Sequence, residues 1–201
     1  MFYSFIKGLF LIFFKIWYRW QVTGEENIPQ EGPLVVVANH VSMWDPIIVG
    51  IALPRKIHFM AKEELFRIPV IGSLIPHLGA FPVKRGRSDR AALKAGMEIL
   101  AAEKMLGLFP EGRRSPDGQL MEFQAGAGLM AVKGNASIVP LAISGSQGLK
   151  LQFKRRISVT IGKPVQLSEI AEKKRIGSKE LTGLMEDLRR QIAQMLEKTD
   201  K

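Results

Sequence analysis

Residues 34–38 read Leu-Val-Val-Val-Ala, and this short, unbroken, β-branched run constrains the fold more than any other part of the chain. A strand with one wet face alternates apolar and polar residues, whereas one that is apolar throughout must be covered on both sides. Further strand candidates follow at Ile57–Ala61, Ala80–Lys84, Leu106–Phe109, Ile138–Ile143 and Ile157–Ile161. Helical spacing fills the gaps. Asp45, as a cap with Pro46 at the first helical position, predicts a short helix to Ala52. Ser88 caps a helix carrying Leu93, Met97 and Leu100 and ending at Gly107. Another helix spans 124–133 and stops at Gly134, and Leu181, Leu184, Leu188 and Ile192 mark a final amphipathic helix from Ser178. Alternating strands and helices predict an α/β domain: a mixed, largely buried sheet flanked by helices. With 201 residues, 46% hydrophobic and 24% charged, the chain suits one such domain over 24–201, preceded by a helical segment at 1–23.

That segment begins MFYSFIKGLFLIFFKIWYRW. Lys7, Lys15 and Arg19 are spread through it and bulky aromatics occupy the place of a cleavage site, so it is not patterned as a secretory signal. The longest charge-free stretch, Gly8–Phe14, is far short of the ~18–20 apolar residues that span a bilayer. On a helical wheel Ser4, Lys7, Gly8, Lys15, Tyr18 and Arg19 share one side and apolar residues take the rest. A wide apolar face with a cationic seam predicts an interfacial amphipathic helix over residues 1–20, its rings at the acyl boundary and its cations on lipid phosphates. The alternative is a helix of the core. A second apolar stretch, Ile68–Phe81, is broken by Pro and Gly and fits an acyl tunnel, a membrane contact or core equally well.

Lys and Arg outnumber Asp and Glu 29 to 19, giving a net charge of +10. Such a surface favours polyanions: nucleic acid, an anionic membrane or a phosphorylated substrate. Single-strand nucleic-acid binding calls for aromatics interleaved with cations. Here the aromatics gather at the N-terminus, away from Lys154–Arg156 and Lys173–Arg175, so those runs read as solvated faces and no nucleic-acid partner is expected. The absence of cysteine removes disulfides, thiolate metal sites and a cysteine nucleophile, and it fits a reducing compartment.

Three loops at strand ends carry residues suited to chemistry. In the first, His40 and Asp45 are five positions apart across a loop entering a helix, close enough for the carboxylate to reach the ring. A neutral imidazole is a good general base near neutral pH, and a carboxylate on its other nitrogen fixes the tautomer. A loop histidine beside a helix-capping aspartate would look the same. The second loop, Lys84-Arg85-Gly86-Arg87, suits a phosphate, because guanidinium forks match its oxygens. In the third, Phe109-Pro-Glu-Gly-Arg-Arg-Ser115, a tight turn aims Glu111 at a cleft and frees backbone N–H groups, with Arg113 and Arg114 as further phosphate contacts. Alone, each basic loop reads as a charged surface turn. Together the loops supply a base with its orienter, a phosphate clamp and a carboxylate for a substrate hydroxyl. No cluster has metal-ligand spacing, and His58 and His77, with no carboxylate nearby, are expected to be structural.

At these loops the chain resembles the 1-acyl-sn-glycerol-3-phosphate acyltransferase family. Asn39-His-Val-Ser-Met-Trp-Asp-Pro46 is similar to the family's first block, Gly79–Arg85 to its second, Phe109–Ser115 to its third and Ile138-Val-Pro-Leu141 to its fourth; the likeness runs from Gly24 to Lys163. It departs at Arg113, where the family usually has Thr, and at Phe123-Gln-Ala-Gly126, which lacks the family's Lys. The resemblance implies an enzyme of phospholipid synthesis that makes phosphatidic acid. It would move a fatty acyl group from an acyl carrier protein or coenzyme A thioester to the sn-2 hydroxyl of lysophosphatidic acid. His40 would be the general base, oriented by Asp45, with no covalent acyl-enzyme. Arg85, with Lys84 or Arg114, would hold the phosphate; Glu111 and the Gly112 backbone would position the glycerol. Asn39 and Ser42 would support the loop, Ser42 by hydrogen bonding rather than as a nucleophile. The resemblance further implies peripheral attachment at the cytoplasmic face of the cell membrane, and no cofactor beyond the thioester co-substrate.

Overall fold

Each side chain of Leu34–Ala38 (β2) is buried, and successive ones go to opposite sides of the sheet. Leu34, Val36 and Ala38 enter one apolar cluster, and Val35 and Val37 enter another. The computed structural model describes residues 1–83, 90–149, 153–165, 167 and 177–199. Around β2 it builds a seven-stranded sheet from Arg19–Thr23 (β1), Ile57–Lys62 (β3), Ala80–Val83 (β4), Met105–Leu108 (β5), Ser137–Ser144 (β6) and Arg156–Ile161 (β7), in the order β1-β7-β6-β2-β5-β3-β4. All neighbours are parallel except β6 and β7, so the sheet is mixed, as the sequence predicts.

Helices cover both faces. Phe2–Trp17 (α1) and Asp45–Ala52 (α2) pack on the side of Leu34 and Val36. Arg90–Ala101 (α4), Gly126–Lys133 (α5) and Ser178–Thr199 (α6) pack on the side of Val35 and Val37, while Ile71–Leu74 (α3) is a single turn before β4. In α6 the buried residues are Leu181, Leu184, Met185, Leu188 and Ile192, a helical stripe, and Glu186–Arg189 and Asp187–Arg190 pairs occupy its wet side.

Four expectations change. The N-terminal helix stops at Trp17, where Tyr18 turns extended, and Arg19–Thr23 forms an edge strand against β7 with Trp20 and Val22 on the core side. The strand therefore joins the edge of the sheet. Gly107 does not end α4; the helix closes at Ala101 and the chain reverses at Glu103, with φ 56°. Gly107 sits inside β5, where a Cβ would lie 2.3 Å from the Phe59 ring, so only glycine lets that ring lie flat on the strand. Trp44 takes the cap position of α2, and Asp45 is its first helical residue.

The fourth change concerns α1, which combines both readings of its sequence. One side docks: Phe14 is fully buried, and Phe10, Leu11, Phe13 and Trp17 pack around it. Burying one such side chain contributes about 1.5–3 kcal/mol. Lys7, expected on a lipid-facing seam, turns inward and donates to the Leu53 carbonyl at the C-terminus of α2, where a cation is favoured. Burial pushes its pKa down, with Glu25 opposing. On the other side Phe2, Phe5, Leu9, Ile12 and Ile16 form a stripe at three- and four-residue spacing, between 47% and 69% exposed. Among the described residues no helix is long and apolar enough to cross a membrane. Within Ile68–Phe81 no apolar side chain is fully buried: Ile68, Val70 and Ile71 are exposed, whereas Phe81 packs, partly buried, against the core.

Candidate active site

Strands β2, β5 and β6 run the same way, so their C-terminal ends deliver three loops to one edge at the centre of the sheet. The first loop carries His40. Its Nδ1 lies 2.9 Å from Asp45 Oδ2. A carboxylate can only accept, so Nδ1 holds the proton and Nε2 keeps its lone pair. The same Oδ2 accepts the backbone N–H groups of Val41 and Ser42, each at 2.7 Å. Oδ1 accepts the hydroxyl of Ser146, also at 2.7 Å, from the loop after β6. Asp45 is completely buried, and four donors offset the desolvation of its charge.

The loop backbone is equally held. Asn39 makes a two-way amide pair with Ile143 of β6, donating to its carbonyl at 3.0 Å and accepting its N–H at 2.8 Å. Ser42 is buried, and its Oγ accepts the Trp44 N–H at 3.3 Å. The ring of His40 stacks on Phe109, with centroids 4.1 Å apart and planes 19° apart, and Phe109 stacks in turn on Phe59 at 5.5 Å. The absent side chain of Gly107 is what admits Phe59 to this stack.

The third loop differs from its sequence reading. Glu111 faces inward rather than toward a cleft and is 4% exposed. Its Oε1 accepts the backbone N–H of His40 at 2.6 Å and its Oε2 that of Met121 at 3.2 Å. Ser115 N–H donates to the His40 carbonyl at 2.8 Å, so this loop grips both polar groups of the histidine backbone. Burial pushes the Glu111 carboxyl above its ordinary range; the two backbone donors and His40 oppose this, and Asp45 adds to it. The backbone N–H of Gly112 is not free for substrate but closes the turn on Phe109 O at 3.0 Å, and φ of 72° there explains the glycine. Arg113 and Arg114 are exposed beyond the turn.

Lys84, Arg85 and Ser88 lie outside the described residues. His58 and His77 bond backbone carbonyls, Met105 O and Ser73 O, away from the catalytic loop. Sequence reasoning missed Ser146, Phe59 and the stacking part of Phe109. A serine 101 residues from Asp45 carries no local signal, whereas Phe109 lay inside a loop already singled out.

The Acyltransferase family model matches residues 19–144. The chain is 33% identical to the 1-acyl-sn-glycerol-3-phosphate acyltransferase of Bacillus subtilis over 184 residues, covering 90% of each protein. It is 31% identical to the protein of that name from Streptococcus pneumoniae over 180 residues, covering 85% of this chain and 65% of that protein. Its fold superposes on the crystal structure of the 1-acyl-sn-glycerophosphate (LPA) acyltransferase PlsC from Thermotoga maritima. That match has a TM-score of 0.76 at 28% identity and covers 96% of this chain and 79% of the other. With its His40–Asp45 pair set at the centre of a matching fold, the chain belongs to the 1-acyl-sn-glycerol-3-phosphate acyltransferase family.

Proposed function

We propose that the chain transfers a fatty acyl group from a thioester of acyl carrier protein or coenzyme A to the sn-2 hydroxyl of lysophosphatidic acid, giving phosphatidic acid. The observation that carries this reading is the 2.9 Å contact of His40 Nδ1 with Asp45, which leaves Nε2 as a base. Nε2 takes the acceptor's hydroxyl proton as its oxygen attacks the thioester carbonyl. The carbon–sulfur bond breaks, and the departing sulfur takes the proton from the imidazolium. Attack is direct, without an acyl-enzyme; in support, Ser42 Oγ is engaged with the Trp44 N–H. Lys84, Arg85 and Arg114 hold the phosphate, and Gly112 shapes the turn beside the glycerol.

The acceptor is a lipid, and α1 supplies the route to it. Its exposed apolar stripe lies on an anionic membrane surface while its other face stays docked on the sheet. The docked face reaches the catalytic loop, because Phe14 is in ring contact with Trp44 at 6.4 Å. In a cell this is peripheral attachment at the cytoplasmic face.

A thiol-trapping assay tests the reading without background, since the chain has no cysteine. Lysophosphatidic acid with acyl-coenzyme A or acyl carrier protein thioester releases free thiol and yields phosphatidic acid, and His40→Ala lowers the rate by about 10³-fold. Wild-type release by His40→Ala would overturn the mechanism. Release with glycerol 3-phosphate but not lysophosphatidic acid would reassign the acceptor.

A further inference from the structure

Ser146 is the fully buried hydroxyl that nothing in the motif pattern accounts for. It follows β6 in the turn Ser144–Gly148, whose Gly145 has φ 82° and would bring a Cβ within 2.1 Å of the Arg156 carbonyl. That turn is therefore fixed against β7, and Asn39 locks β6 to the His40 loop at Ile143, the residue before the turn. The serine is thus presented from a rigid support on the far side of Asp45 from His40.

The two carboxylate oxygens have unequal duties. Oδ2 serves His40 Nδ1, Val41 N and Ser42 N, all from its own loop. Oδ1 takes Ser146 Oγ at 2.7 Å, from 101 residues away. Rotation about the Cβ–Cγ bond would swing both oxygens, so the three donors on Oδ2 already oppose it. A fourth donor on Oδ1, from a separate element, resists the same rotation from the other end of the carboxylate. It also shares the charge of a carboxylate to which solvent has no access.

We propose that Ser146 is a positioning residue for catalysis, acting through Asp45: its hydroxyl fixes the carboxylate plane and thereby aims His40 Nε2. It touches neither substrate nor the reacting atoms. The inference rests on the reading of His40 as the general base. Loss of activity in His40→Ala tests that reading separately, so the two can fail independently.

The test is steady-state thiol release by the full chain, with Ser146→Ala, Ser146→Thr and both Asp45→Asn backgrounds, each assayed well below its melting temperature. Ser146→Ala is expected to lower kcat by about tenfold with KM for donor and acceptor held within about twofold. Ser146→Thr, which keeps the hydroxyl, recovers most of that loss. In the Asp45→Asn background, Ser146→Ala adds less than about twofold, because groups acting as one unit are not additive. A serine that merely supported the fold would lower the melting temperature and combine additively with Asp45→Asn. Full kcat in Ser146→Ala, a KM rise equal to the kcat loss, or additivity with Asp45→Asn would each overturn the proposal.

Discussion

His40, Asp45, Glu111 and Ser146 are each at least nine-tenths buried, whereas Arg113 and Arg114, immediately beyond Glu111 on the same loop, stand in solvent. The inner residues are tied by short bonds to backbone or to each other. The outer ones sit past a glycine turn with room to move. This division fits the roles proposed above. A general base takes its proton along one direction, which packing and bonds shielded from water favour. A phosphate carries charge on several oxygens and accepts cations from many directions, so its proposed partners can remain hydrated. Substitutions in the inner set should therefore act on kcat and those in the outer set on binding.

The most severe break is Asp45→Asn. The amide preserves shape but cannot accept at both atoms, and it lets Nδ1 lose its proton to the wrong tautomer; kcat should fall by about 10³-fold with acceptor KM little changed. A loss expressed mainly in KM would erase the division. The exposed apolar stripe of α1 comes next. Leu9→Asp with Ile12→Asp alters exposed positions and should leave the melting temperature within a few degrees. Binding to anionic vesicles should weaken by at least about tenfold. Undiminished sedimentation with vesicles would show that the exposed stripe of α1 serves something other than lipid.

A smaller effect is expected at Arg114. Because it is exposed, Arg114→Ala should raise acceptor KM by about fivefold or less and leave kcat intact. The finest test concerns Glu111 and pH. Its folded-state pKa is raised by burial, so its stabilising contribution is complete below the ordinary glutamate range and declines as pH rises through the folded value. Urea unfolding of wild type and Glu111→Gln should show a wild-type advantage that shrinks as pH rises from 4 to 7. An advantage that grows over that interval would mean the two backbone donors outweigh desolvation, placing Glu111 electrostatically with the outer set.

The sequence was most readable where one segment carries the whole signal. Leu34–Ala38 announces burial on both faces by composition alone, and His40 with Asp45 lies five positions apart in one segment, a spacing that takes on meaning only beside the other two loops. It was least readable where meaning depends on a distant partner. Lys7 is polar on a helical wheel, but only the fold brings it to the end of α2. Glu111 looks like a ligand for substrate until the backbone N–H groups of His40 and Met121 are seen on its oxygens. Ser146 has no local pattern at all. Arg19–Thr23 is a different failure: Arg-Trp-Gln-Val-Thr alternates as a strand does, but helical periodicity in the preceding residues was carried through it. Ile68–Ile71 shows that a stretch can be apolar and still stand in solvent.

One residue, Tyr18, separates the end of α1 from β1. Across that junction Arg19 N–H donates to Arg155 O at 2.9 Å and Lys154 N–H to Trp17 O at 2.8 Å, stitching the end of the helix to the strand beside it. The junction has no slack to act as a hinge, so α1 behaves as a keel rather than a tether. Whatever surface its outer stripe rests on, the tilt of that surface and the bearing of His40 are one setting, fixed when the chain folds. A longer connector would let the domain sway against the helix; here the helix and the His40 loop are set as one piece.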